Sequence, residues 1–200
     1  MYFFTHLQIS KVLYKHFSGV AELNKWAFAY GNIKPDLPFH PHQHHTLENY
    51  LITVCGLSDE LVSGELSPEE FSLHLGEVCH YVSDFFCHYH VTETIHNKKL
   101  HHLLYELKQH YKLLRLHLKQ KSQVFPSKKE PRKDIGSMIS ELRTEYFSQP
   151  NSMLRDIDYA FSASVWICES IFYFLRDSPY FFEPSEYELC SLQAMKGGYL

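Results

Sequence analysis

Apolar side chains recur at the spacing of an α-helix along almost the whole chain, and this pattern constrains the fold more than any other feature. The chain has only eight glycines, and no two alternating apolar and polar runs are joined by a hairpin turn. Of its 200 residues, 44% are hydrophobic and 21% are charged, close to the average for a globular protein. The sequence therefore predicts an all-α fold, which we expect to form a single-domain helical bundle over residues 1–200.

Caps, prolines and changes in composition divide this pattern into separate predicted helices. The clearest start is Ser67-Pro68-Glu69-Glu70, which combines a capping serine, a proline in the first helical position and acids near the positive end of the helix dipole. This helix is predicted to run through Phe86. The other predicted helices span residues 5–17, 20–30, 46–57, 98–119 and 152–175, with a shorter one near 186–194. The helix over 152–175 is apolar on most sides, so we expect it at the centre of the core.

Two segments break the helical pattern. Residues 31–45 contain three prolines and a Gly-Asn pair, which places Asp36 and four histidines on a rigid loop. Residues 119–134 are rich in lysine and arginine and contain two prolines, which predicts an exposed basic loop. A solvated linker is favoured there over a basic contact for phosphate.

Charge, cysteine usage and hydropathy exclude several classes of protein. The net charge of −4 gives no overall basic field, so we expect no stable complex with nucleic acid. The five cysteines are an odd number with no Cys-x-x-Cys pair, so they indicate small buried side chains rather than a disulfide framework or a thiolate zinc site. No window approaches the roughly 20 apolar residues of a membrane span, and the N-terminal segment does not resemble a signal peptide. These features predict a cytoplasmic protein and leave its oligomeric state open.

Two histidine–carboxylate pairs stand out among the fifteen histidines. His80 and Asp84, and likewise His102 and Glu106, lie four residues apart in predicted helices, and His90 lies between the two pairs. Residues at this spacing share one helix face, and a metal ion requires several lone pairs that converge in this way. The alternative is that His80 is a core histidine and His102 belongs to a surface ion pair.

The order and spacing of these residues resemble a known family. The segment GNIKPD, ending at Asp36 and followed by a histidine cluster, precedes His80-x3-Asp84-x5-His90 and then His102-x3-Glu106. This arrangement is similar to the zinc-dependent phospholipase C superfamily, which also contains single-strand nucleases, and the similarity spans residues 6–106. The resemblance implies an all-α fold that holds two or three Zn²⁺ ions. It also implies hydrolysis of a phosphodiester or phospholipid-type substrate by a zinc-activated water.

The resemblance also implies which residues bind each ion. The implied ligands of the first are Asp36, one of His44 and His45, His80 and Asp84. Asp84 would bridge to a second ion that also takes His6, and those of the third are His90, His102 and Glu106. Asp36 is the implied catalytic residue as well, because it could orient or deprotonate the attacking water.

The sequence departs from the family pattern in two places and leaves one choice of ligand to be tested. In secreted members the amino group of the mature first residue is a zinc ligand, whereas this chain begins MYFFT, so we expect that ligand to be absent or altered. The segment FFCHY before His90 is more aromatic than in the nucleases, which disfavours nuclease specificity. In an unbroken helix His88, rather than His90, would share a face with His80 and Asp84. The family spacing therefore requires the helix to loosen or end near residues 86–89.

The leading hypothesis is a zinc-dependent phosphodiesterase of the phospholipase C type. An HD-type phosphohydrolase is disfavoured because the chain contains no His-Asp dipeptide. The other alternative is a non-catalytic zinc-binding or sensing protein that retains the ligands. The ligand types favour zinc but also suit iron, manganese or nickel.

Overall fold

The computed structural model describes residues 1–38, 44–63, 65–91, 99–118 and 129–175, and most of these residues lie in helices. The helices are α1 (Phe3–Phe17), α2 (Lys25–Gly31), α3 (Leu47–Ser63), α4 (Pro68–Phe85), α5 (Lys99–Leu118), α6 (Ile135–Ser148) and α7 (Met153–Leu175). Two short 3-10 helices, η1 (Lys34–Asp36) and η2 (His88–His90), lie between them. The described residues contain no β-strand, which confirms the all-α prediction.

Helix α4 begins where the sequence predicts. The Ser67 hydroxyl accepts a hydrogen bond from the Glu70 amide at 3.3 Å, and the Glu70 carboxylate accepts one from the Ser67 amide at 3.1 Å. This reciprocal pairing satisfies amide groups that the first turn leaves without intrahelical partners.

Three other elements differ from the prediction. Helix α2 begins at Lys25 rather than near residue 20, because the Asn24 side chain caps the amides of Trp26 and Ala27, both at 3.0 Å. Helix α3 continues through Gly56 to Ser63 instead of ending near residue 57. Helix α6 was not predicted at all. The predicted helix near 186–194 and residues 119–128 of the predicted basic loop lie outside the described residues.

Helix α7 forms the centre of the core, as predicted. It is buried along most of its length and packs against α1, α3, α4, α5 and α6. Residues 129–134 cross one side of it: the Trp166 indole donates to the Glu130 carbonyl at 2.9 Å, and the Arg132 amide donates to the Ser170 hydroxyl at 3.2 Å. This part of the predicted basic loop is mostly exposed but is held on the surface of α7.

Helices α2 and α4 approach each other at two glycines, Gly31 and Gly76. A Cβ atom on Gly76 would overlap the carbonyl oxygen of Phe28, and one on Gly31 would overlap that of Leu73. The absence of side chains at these positions lets the end of α2 and the following η1 turn lie directly on α4.

None of the described helices is both long and apolar enough to cross a membrane.

Candidate metal centre

Histidine and carboxylate side chains from distant parts of the chain converge beside the buried N-terminus. Within each of two groups, ligand atoms of the members all lie within 4.8 Å of one another. The first group consists of Asp36, His45, His80 and Asp84, and the second of Cys87, His90 and Glu106.

The first group surrounds one point with two imidazoles and two carboxylates. The Nε2 atom of His80 lies 2.9 Å from Nδ1 of His45, which in turn lies 3.0 Å from Oδ2 of Asp84. Asp36 Oδ1 is 3.7 Å from both ring nitrogens. The Asp36 side chain is 23% exposed whereas that of Asp84 is fully buried, so Asp36 is the carboxylate of this group that solvent reaches.

The structure also separates the two adjacent histidines of the loop. His45 contributes its imidazole to the first group, while His44 belongs to neither group. The His44 backbone carbonyl accepts hydrogen bonds from the Thr46 amide at 2.7 Å and the Asn49 side chain at 3.0 Å, at the start of α3.

A backbone carbonyl at the C-terminal end of α2 fixes the orientation and the protonation state of the His80 ring. Its Nδ1 atom lies 2.9 Å from the backbone carbonyl of Asn32, and the Asn32 side-chain nitrogen donates to the Phe28 carbonyl at 3.0 Å. A carbonyl can only accept, so Nδ1 carries the proton of the neutral ring and Nε2 presents a lone pair to the group. Burial lowers the pKa of His80 well below its usual value, which favours this neutral form.

The two oxygens of Asp84 face different partners. Oδ1 contacts the amino group of Met1 and lies 3.3 Å from His6 Nε2. Oδ2 faces His45 and lies 3.5 Å from Nδ1 of His90. Burial by itself raises the pKa of Asp84, but its electrostatic interactions with His90, the Met1 amine and His6 outweigh burial and hold that pKa well below its usual value. Asp84 thus stays ionised at the point where the two groups meet.

His6 is buried beside the first group. Its side chain is fully buried on α1, and its ring stacks on that of His80 with 4.0 Å between centroids. Within the part of the chain that the structure describes, neither of its ring nitrogens makes a hydrogen bond. Leaving buried polar atoms unpaired costs about 1–3 kcal/mol, and a metal ion bound at one of these nitrogens would remove part of that cost.

His90 reaches the centre because helix α4 ends before it. The helix ends at Phe85, whose carbonyl accepts a hydrogen bond from Arg143, and the η2 turn then carries His90 inward. The predicted end of the helix near residues 86–89 is therefore confirmed. The His88 ring instead lies against the Asn151 side chain, at 3.1 Å, outside both groups.

His90, His102 and Glu106 form a compact set around one carboxylate oxygen. Glu106 Oε1 lies 2.7 Å from Nε2 of His102 and 3.0 Å from Nε2 of His90, and these two nitrogens are 3.1 Å apart. Burial raises the pKa of Glu106, but the Met1 amine and the hydrogen bonds from both histidines lower it further than burial raises it. The side chain is accordingly an ionised ligand candidate.

The amino group of Met1 lies between these sets of side chains. It is 3.0 Å from His90 Nε2 and 3.3 Å from Glu106 Oε1, in addition to its contact with Asp84. Burial lowers its pKa, but the neighbouring carboxylates outweigh this effect and hold the pKa well above its usual value. The amine at this position thus belongs to Met1, and whether it binds metal stays untested.

Two further residues near the centre were missed by sequence reasoning. Asp156 on α7 is fully buried and accepts hydrogen bonds from Tyr105 at 2.7 Å, Tyr146 at 2.8 Å and the His88 amide at 2.9 Å. It therefore ties together η2 and α5, which carry His90 and Glu106. Cys87 was read as a small buried hydrophobe and lies in the second group. No sequence spacing connects Asp156 with Tyr105 or His88, which lie on other elements far away along the chain.

Helices that bring several histidines and carboxylates to one buried point define a class of all-α proteins with a centre able to hold metal. A model of the family described as zinc dependent phospholipase C matches residues 5–153, well over half of the chain. The chain belongs to the zinc dependent phospholipase C family. No curated protein and no solved structure matches it. The residues present fit zinc, since they supply nitrogen and oxygen donors in convergent sets and include a buried histidine that has no hydrogen-bond partner among the described residues.

Proposed function

We propose that this protein is a zinc-dependent phosphodiesterase of the phospholipase C type. The observation that carries the proposal is the position of Asp84, whose two oxygens face separate sets of ligand candidates. A shared buried carboxylate of this kind suits a centre of two or three Zn²⁺ ions better than a single site.

The proposed ligands follow the sets that converge in the fold. Those of the first ion are Asp36, His45, His80 and Asp84, those of the second Asp84 and His6, and those of the third His90, His102 and Glu106. This assignment selects His45 over His44 because the His45 imidazole lies in the first group.

The chain's own residues supply positioning and a proton acceptor. Zinc, when bound, supplies a water acidic enough to lose a proton near neutral pH and offsets the negative charge of a phosphoryl group. Asp36 is partly exposed beside the buried ligands, where it can orient that water or accept its proton. The fully buried Asp84 remains a ligand. Asp36, His45, His80 and Asp84 would hold cations that attract an anionic substrate to a chain of net charge −4.

The proposed substrate is a phosphodiester or phospholipid-type molecule. The support is membership of the family together with a centre rich in metal-ligand candidates. The more aromatic segment before His90 favours phospholipid-type esters over single-stranded DNA. The cytoplasmic location stays a prediction.

The test is hydrolysis of a phosphodiester panel by zinc-loaded protein. The panel contains a soluble phosphocholine ester, phosphatidylcholine and single-stranded DNA, and we expect cleavage of the phosphocholine esters. Asp36→Asn is expected to lower kcat/KM by about 100-fold or more, as loss of a general base does. Asp59→Asn, an exposed carboxylate on α3, is the matched control and should retain activity.

A zinc-loaded protein that cleaves none of these substrates would contradict the proposed activity. It would favour the alternative of a non-catalytic zinc-binding or sensing protein. A protein that takes up no zinc would contradict the metal centre as well.

A further inference from the structure

Cys87 lies in the second group, beside two ligands of the proposed third ion. Its side chain is fully buried, and its sulfur lies within 4.8 Å of ligand atoms of both His90 and Glu106. The turn after α4 fixes this position: the Cys87 amide donates to the Asp84 carbonyl at 2.9 Å, and the Cys87 carbonyl accepts from the His90 amide at 2.8 Å. The same turn that brings His90 to the centre therefore also directs Cys87 towards it.

Gln109 contacts this sulfur from α5, and its buried amide nitrogen has no partner among the described residues. Its side chain on α5 is fully buried, and its Oε1 atom lies 4.0 Å from Cys87 Sγ, a weak contact with the thiol. Its Nε2 group makes no hydrogen bond to any residue that the structure describes. Turning the amide by half a rotation exchanges its oxygen and nitrogen at almost no steric cost. A thiolate at Cys87 would then accept the hydrogen bond that Nε2 lacks.

The other cysteines in the described ranges have different surroundings. Cys79 and Cys168 face each other in the core with 3.5 Å between their sulfur atoms, and Cys55 on α3 is only partly buried. Of the described cysteines, Cys87 alone shares a group with a histidine and a carboxylate.

We propose that Cys87 is a thiolate ligand of the ion held by His90 and Glu106. This inference rests on the proposed zinc centre and adds a sulfur donor to the nitrogen and oxygen donors that the family pattern implies. Its thiol proton leaves as the metal binds, and the sulfur forms a bond to the ion in its place. A soft sulfur donor favours zinc over magnesium or manganese. The sulfur would also occupy a coordination position that would otherwise be open to water, so the role of this ion would be mainly structural. The substrate would then bind at the ions near Asp36.

The test is the absorption spectrum of the full-length protein loaded with Co²⁺ in place of zinc. A cobalt–thiolate bond gives an intense charge-transfer band in the near ultraviolet, whereas nitrogen and oxygen ligands give only the weaker visible bands. We expect both in the unaltered protein. Cys87→Ser should lose the near-ultraviolet band and keep visible bands, while Cys55→Ser, the matched control, should keep both.

The possible results separate this inference from the proposed function. Visible bands without a charge-transfer band in the unaltered protein, or a charge-transfer band that persists in Cys87→Ser, would overturn the role of Cys87 alone. No cobalt absorption at all would overturn the proposed metal centre and the thiolate ligand together. If Cys87→Ser does not fold, X-ray absorption at the zinc edge of the unaltered protein decides: a Zn–S distance of about 2.3 Å supports the inference, and a shell of only nitrogen and oxygen overturns it.

Discussion

Among single residues, two buried histidines and the Met1 amine determine how the stability of the metal-free protein depends on pH. The histidines destabilise it at low pH, and the amine loses its stabilising effect at high pH. Burial lowers the pKa of both His80 and His90 below the usual value of 6.5, so the unfolded chain binds protons that the folded protein does not. This contribution is present above about pH 6.5 and is lost as the pH falls below it. The Met1 amine has a raised pKa, so its contribution is present below the usual value of 8.0 and is lost as the pH rises through the folded pKa.

We therefore expect the thermal midpoint of the chelator-treated protein to be highest between about pH 6.5 and 8. The measurement is a series of thermal melts from acid to alkaline buffers at constant ionic strength. A midpoint that does not change between pH 5 and 7 would contradict the neutral, buried state of these histidines.

Residue identities in the centre were largely predictable because two His–carboxylate pairs at helical spacing fall within one family pattern. The choice between His44 and His45 was not predictable, because both are histidines on the same loop. Only the path of the backbone distinguishes them. Cys87 was missed for a related reason. Without a second cysteine at ligand spacing, its sequence context is that of a core residue.

At the scale of helices, the close crossing of α2 and α4 positions the first group. Gly76→Ala would force the two helices apart and withdraw the Asn32 carbonyl from His80. We expect a loss of about 1–3 kcal/mol in the free energy of unfolding, together with weaker zinc binding. The measurements are denaturant unfolding and zinc titration.

Gly56→Ala is the matched control, because this glycine lies within α3 with open space where a Cβ would stand. Alanine is a better helix former than glycine, so this variant should be more stable by up to about 1 kcal/mol. Equal behaviour of the two variants would show that the crossing does not support the site.

Asp156 connects the elements that carry the third proposed ion. Asp156→Asn removes one acceptor oxygen from a site that receives three hydrogen bonds, so η2 and α5 lose part of their anchor. We expect a loss of about 1–3 kcal/mol in stability and weaker binding at His90 and Glu106. Asp158→Asn, two residues along the same helix, should change neither property. Unaltered zinc affinity in Asp156→Asn would contradict the anchoring role.

Helices marked by a capping motif or a long apolar run were predictable from the sequence. Helix α6 and the end of α4 were harder to predict. The capping box at Ser67 specified the start of α4, and the apolar run over 152–175 specified α7. Helix α6 has a regular buried stripe, but its capping residue Asp134 is the last residue of a basic, proline-containing segment. That segment predicts a loop, so the start of the helix was not recognised. The end of α4 depends on η2, a turn held by Asp156 from a distant helix.

At the scale of the whole molecule, metal binding should be coupled to folding. The proposed ligands come from α1, η1, the segment before α3, α4, η2 and α5, which only the folded chain brings together. An ion that binds the folded state alone stabilises it in proportion to the logarithm of its free concentration over Kd. Chelation should therefore lower the thermal midpoint, and added zinc should restore it. An equal midpoint with and without chelator, in a protein shown to lose its zinc, would contradict this coupling.

The central claim is that these convergent side chains form a zinc centre of more than one ion. Diffraction from zinc-loaded crystals at wavelengths on either side of the zinc absorption edge tests it most directly. We expect separate anomalous peaks, one among Asp36, His45, His80 and Asp84 and another beside His90 and Glu106. Zinc-edge data without a peak at either place, or with zinc bound only elsewhere on the protein, would contradict it.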